Sequence, residues 1–151
     1  MQYWQDIPIG QHYRAGPITL HKKDILEFAA EFDPQPFHLS SEAADESIFG
    51  GLCASGWQVC ALMMRLLADT LNQENIMALG SPGVEQLRWL KPVFANDQLH
   101  ADITIEDKTK HQDYGDLICN ISVYNQEEKC VMSLSSPIMV AYQNEGDSRN
   151  D

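Results

Sequence analysis

The stretch ASGWQVCALMMRLLADTL, residues 54–71, decides how this chain can fold. Trp57, Val59, Cys60, Ala61, Leu62, Met63, Met64, Leu66 and Leu67 spread around a helical wheel instead of forming one stripe. A helix running from about Ala54 to Leu71 is therefore apolar on nearly every side and asks for cover on nearly every side. Gln58, Arg65 and Asp69 lie within it, and charges are costly in lipid, so it reads as a core helix and not as a membrane span.

Downstream of this helix the hydrophobic period changes from 3.6 to 2. Leu99, Ala101, Ile103 and Ile105 alternate with His100, Asp102, Thr104 and Glu106, the pattern of a half-buried strand. Leu117, Cys119, Ile121 and Val123 repeat it after a turn at Asp113-Tyr114-Gly115-Asp116. Val84 to Leu90 reads as another strand, ended by Lys91-Pro92, and Val131 to Tyr142 as the last. Pro137 interrupts that last strand, which predicts a bulge or an edge position.

Upstream, residues 1–15 read as irregular and Pro17 to Leu20 as a short strand. Lys22 to Phe32 reads as a helix, with Ile25, Phe28, Ala29 and Phe32 on one face. Pro34 and Pro36 disfavour helical geometry in the residues before them, so Asp33 to His38 reads as a stiff, irregular loop. Ser40 or Ser41 caps a short helix, Glu42 to Glu46; Phe49-Gly50-Gly51 is a break, and residues 72–83 form a linker.

The order is strand, helix, loop, long helix, then four antiparallel strands. This is an α+β architecture, one curved antiparallel sheet wrapped around a long central helix. It predicts a single domain over residues 1–143 and a polar, disordered tail over 144–151. The free sheet edges predict pairing across a two-fold, as a homodimer or higher homo-oligomer.

Composition narrows the partners. The 151 residues carry 22 Asp and Glu against 10 Lys and Arg, a net charge of −12. Nucleic acid and anionic membrane both require a basic face, so both are excluded as partners. Hydrophobic residues at 44% supply a core, so the acidity does not signal disorder. The N-terminus MQYWQDIPIG has neither a basic nor an apolar signal region. Cys53, Cys60, Cys119 and Cys130 form no CxxC pair, so no metal site is expected, and reduced thiols fit a cytoplasmic location.

Two segments carry chemistry. Asp33-Pro34-Gln35-Pro36-Phe37-His38 sets a carboxylate and an imidazole five residues apart on a stiffened segment. The carboxylate can take a proton from water, and the imidazole, titrating near neutrality, can orient that water or pass the proton on. Gly50-Gly51-Leu52-Cys53-Ala54-Ser55-Gly56-Trp57 opens the long helix. Free N–H groups at a helix N-terminus can receive a carbonyl oxygen that becomes an oxyanion. Gly56 fits that role, and it equally fits close helix–sheet packing.

These segments resemble the MaoC-like (R)-specific enoyl-CoA hydratases, which are hotdog-fold enzymes. Their signature is Asp-x-Asn-Pro-x-His followed by a small-residue helix start, and Arg88-Trp89-Leu90-Lys91-Pro92-Val93 with Asn96-Asp97 resembles their Arg-Phe-x-x-Pro-Val and Gly-Asp elements. The resemblance spans roughly residues 5–142. It implies Asp33 and His38 as the catalytic pair, activating one water for syn addition across a trans-2-enoyl thioester or removing it in reverse. It also implies that Gly56 N–H holds the thioester oxygen, that Ser55 and Gln35 line the site, and that the substrate is carried by CoA or acyl carrier protein. No cofactor is implied. The departures are Gln35 in place of Asn, one methylene longer, and Asn96 in place of Gly. A displacement of ~1 Å in a positioned group can cost ~100-fold in rate, so Gln35 bears on the chemistry. A hotdog acyl-CoA thioesterase and a non-catalytic acyl-CoA-binding subunit are the alternatives on the same fold.

Overall fold

The computed structural model describes residues 1–144; the tail expected over 144–151 lies, but for Asn144, outside the described residues. After a 3-10 turn at Trp4–Asp6, the chain forms β1 (His12–Thr19), α1 (Lys22–Phe32), α2 (Pro36–Leu39), α3 (Ser41–Asp45) and α4 (Gly56–Gln73). It then forms β2 (Ala78–Gly80), β3 (Glu85–Trp89), β4 (Gln98–Lys110), β5 (Tyr114–Tyr124) and β6 (Cys130–Ala141). One antiparallel sheet has the order β1-β4-β5-β6-β2, with β3 also pairing β6.

The period-2 strands explain how this sheet binds α4. Ile103 pairs Ile121, and Ile121 pairs Leu134, so one row of apolar side chains crosses three strands. Ala101, Val123 and Met132 form the next row. All six are buried, and the sheet curls its inner face around α4, whose Val59, Met63, Leu66 and Leu67 enter the same core. Their spacing is that of a single helical face.

Several expectations change here. The sheet is a half-barrel, and α4 is not covered all round: Trp57 and Met64 remain 61% and 48% exposed in the single chain. An open curled sheet can pack only part of a helix's circumference, and this helix carries more apolar surface than one chain covers. β1 begins at His12, well before Pro17, because it pairs with β4. The presumed linker contains β2. Pro137 pairs with Ile118 inside the sheet without a register shift there. On its other side β6 meets β2 at Met139 and β3 at Ser135, so Pro137 faces the break between the two edge strands. A proline is tolerated where no ladder bond is owed.

The segment after α1 also differs from expectation: Asp33 ends that helix at φ −149°, ψ 67°, outside helical geometry. Pro34 disfavours helix at the preceding residue. Pro36 instead starts α2, where its fixed φ suits a first helical position and its missing N–H is not needed. The expected irregular loop thus contains one helical turn, and that turn directs His38 inward. Ser40 Oγ caps α3 by accepting from Ala43 N–H.

Candidate active site

His38 is 5% exposed and its ring is held at a defined angle. Its Nδ1 lies 2.7 Å from the Cys53 carbonyl oxygen. A carbonyl only accepts, so Nδ1 carries the hydrogen and donates it. The other nitrogen, Nε2, stands 3.5 Å from Asp33 Oδ2. In neutral His38 that nitrogen is an acceptor, and so is the carboxylate. Two acceptors side by side are satisfied together by one donor with two hydrogens, which is the description of a water molecule.

Asp33 is held by its own segment. Gln35 Nε2 donates to Asp33 Oδ1 at 2.6 Å, leaving Oδ2 toward His38. Burial pushes the Asp33 pKa up, but the Gln35 amide, the Ser55 hydroxyl and the neighbouring His38 outweigh it and hold the carboxyl below its ordinary range. Ser55 is fully buried, and its Oγ, near enough to Asp33 to lower its pKa, stands just beyond hydrogen-bonding distance of any partner among the described residues.

A cavity of about 400 Å³ brings these pieces together. Asp33, Gln35, His38 and Gly56 all line it; Ser55 does not, lying behind the lining. Gly56 is the first residue of α4, so its N–H has no acceptor within the helix. Antiparallel contacts fix that helix start: Cys53 bridges Phe94, and Ala54 N–H donates to the Val93 carbonyl. Val59, Val93 and Val131 make the cavity's buried apolar part, and Lys91 contributes a cation.

The two readings of Gly56 both have support in the geometry. A Cβ at this position would lie 2.5 Å from the Trp89 ring, so close packing alone requires glycine. Trp89 Nε1 also donates to the Gly56 carbonyl at 2.9 Å. Trp57, Trp89 and Phe49, which line the cavity, were not among the residues singled out from sequence, nor was the Cys53 carbonyl that orients His38. Trp89 was signalled only as the aromatic after Arg88 in the Arg88–Val93 stretch, and a backbone carbonyl leaves no sequence signal at all. Among the described residues, no group of three or more His, Cys, Asp or Glu could hold a metal ion. No helix among them is long and apolar enough to cross a membrane.

A curled antiparallel sheet around a central helix, with a carboxylate and an imidazole in the cavity at the helix start, defines a hotdog-fold protein. Within that class the chain belongs to the MaoC-like domain family, whose model matches residues 5–125. It is 33% identical over 125 residues to the uncharacterized protein YdeM of Bacillus subtilis (strain 168), covering 82% of this chain and 87% of that one. The crystal structure of a MaoC-like dehydratase from Rhodospirillum rubrum matches with a TM-score of 0.86 at 33% identity, over 95% of this chain and 99% of that one. An (R)-hydratase from A. caviae shares the fold, with a TM-score of 0.71 at 20% identity over 90% and 98% of the two chains. At the level of the family, a dehydratase activity, which in reverse is hydration, is supported.

Proposed function

We propose that this protein is an acyl-thioester hydro-lyase, adding water to a trans-2-enoyl thioester or removing it from a 3-hydroxyacyl thioester. The observation that carries the reading is the convergence of Asp33 Oδ2, His38 Nε2 and Gly56 on one cavity. A water donating to both acceptors keeps its oxygen lone pair free to attack the β-carbon. As that C–O bond forms, one water proton passes to the Asp33–His38 pair. The electrons of the double bond move onto the thioester oxygen, which Gly56 N–H stabilises, and the pair returns a proton to the α-carbon. Water is consumed, the double bond is lost, and the pair ends as it began. The CoA or acyl carrier protein moiety is polyanionic, so the net charge of −12 opposes its approach. Binding then rests on the apolar cavity, the helix N-terminus and Lys91.

The test is hydration of crotonyl-CoA, followed by loss of the enoyl-thioester absorbance. Turnover supports the reading, and its absence across short, medium and branched enoyl-CoAs removes it. Release of free thiol from a saturated acyl-CoA would favour a thioesterase instead.

The exposed apolar face of α4 and the edge strands β2 and β3 also support a homodimer. Sedimentation should give twice the 17.0 kDa chain mass, and a monomer at micromolar concentration would count against it.

A further inference from the structure

We infer that Trp89 is a specificity-determining residue whose indole, backed by Trp57, narrows the cavity beside Gly56 to a slot for flat, α-unbranched acyl groups. The inference rests on the hydro-lyase reading only for the reaction used as one readout; the slot itself follows from packing.

Trp89 lies directly on Gly56. Three of its ring atoms fall 2.5–2.8 Å from where a Gly56 Cβ would stand, so the ring is in van der Waals contact with the bare Cα. The ring is held from several sides. Its Nε1–H donates to the Gly56 carbonyl at 2.9 Å, and Trp57 meets it edge-on at 5.1 Å between centroids. The Trp89 backbone pairs with Met132, which is fully buried. An indole with a directed hydrogen bond and an edge-on aromatic neighbour does not swing aside without losing both.

Asp33 and His38 line the same cavity as Trp89 and Gly56. An acyl group whose carbonyl oxygen reaches Gly56 N–H must therefore pass alongside the indole on its way to the acid/base pair. A trans-2-enoyl thioester is planar from the carbonyl to the β-carbon and fits a thin slot. A methyl on the α-carbon stays in that plane, so it leaves the thickness unchanged and broadens the group sideways, one bond from the carbonyl held at Gly56, where the indole limits its breadth. Trp89 stands where the resembling sequence pattern has Phe, so the wider ring and the Gly56 bond are both peculiar to Trp here.

The experiment compares wild type, Trp89→Phe and Trp89→Ala, each shown to be folded by circular dichroism. The first readout is kcat/KM for crotonyl-CoA against its α-methyl analogue, tiglyl-CoA. Wild type should prefer crotonyl-CoA at least tenfold. Trp89→Phe should narrow that preference and Trp89→Ala should bring it close to unity, mainly through KM. The second readout needs no turnover: quenching of tryptophan emission by butyryl-CoA against 2-methylbutyryl-CoA, with Trp57 as reporter in the variants. Wild type should bind the unbranched ligand more tightly, and Trp89→Ala should bind both alike. Equal handling of branched and unbranched ligands by wild type, or an unchanged ratio in Trp89→Ala, overturns the inference. Discrimination in binding without hydration of either enoyl-CoA would sustain the slot while removing the hydro-lyase reading.

Discussion

His38 Nδ1 donates to the Cys53 carbonyl at 2.7 Å, and this bond fixes which nitrogen of the ring faces Asp33. The imidazole and the carbonyl that orients it come from two different segments, α2 and the approach to α4. Removing the imidazole or neutralising the carboxylate should therefore abolish proton transfer while leaving the fold in place. His38→Gln and Asp33→Asn are each expected to lose ~10²–10⁴-fold in kcat for enoyl-CoA hydration. Full activity in Asp33→Asn would remove the carboxylate from the mechanism.

The pH dependence has a definite sign. Asp33 lies below the ordinary aspartate range of about 4, so the native state binds its proton less readily than the unfolded chain. Its stabilising contribution is present above that range and is lost as pH falls through the folded value. Gln35→Leu deletes the donor to Oδ1 and should raise the Asp33 pKa. The acidic limb of a kcat/KM profile should then move to higher pH, with Gln35→Asn restoring part of the shift. An unmoved limb would show that Gln35 does not govern the carboxylate.

Gly56→Ala places a methyl group against the Trp89 ring, which is itself tied to the Gly56 carbonyl. Either the indole or the first turn of α4 must give way. Overpacking of this kind costs about 1–3 kcal/mol. Thermal unfolding should report that loss, and hydration should fall further than stability alone explains.

Ile121 is fully buried at the centre of the row that joins β4, β5 and β6 beneath α4. Ile121→Ala should cost about 2–5 kcal/mol, the lost burial plus the cavity left behind. Urea unfolding should show it as a lower midpoint at unchanged slope. A smaller effect would mean that α4 settles onto the sheet to fill the space.

Local pattern made much of this protein legible. The period of 2 in Leu99–Ile105 and Leu117–Val123 dictates which side chains face inward, because successive side chains on a strand point to opposite faces. Pro34 dictates the end of α1, because it denies helical geometry to Asp33. The Asp33–His38 segment was legible as a carboxylate and an imidazole close along the chain, and both line one cavity.

Tertiary structure decided what local pattern cannot carry. The apolar circumference of α4 says that cover is needed, but not that one chain supplies it for one face only. β1 extends back to His12 and β2 exists at all because β4 and β6 offer them backbone partners, and such pairing is non-local. His38 points its Nε2 at Asp33 because a carbonyl fifteen residues away claims Nδ1, and every residue has a carbonyl. Trp89 reaches Gly56 across 33 positions of chain, so nothing in either neighbourhood announces the contact. Sequence determined the long helices, the long strands and their inward faces, since these follow from local sterics and hydrophobic period. Only the folded chain decided which nitrogen is free and how wide the cavity is, since these depend on distances between segments far apart along the chain.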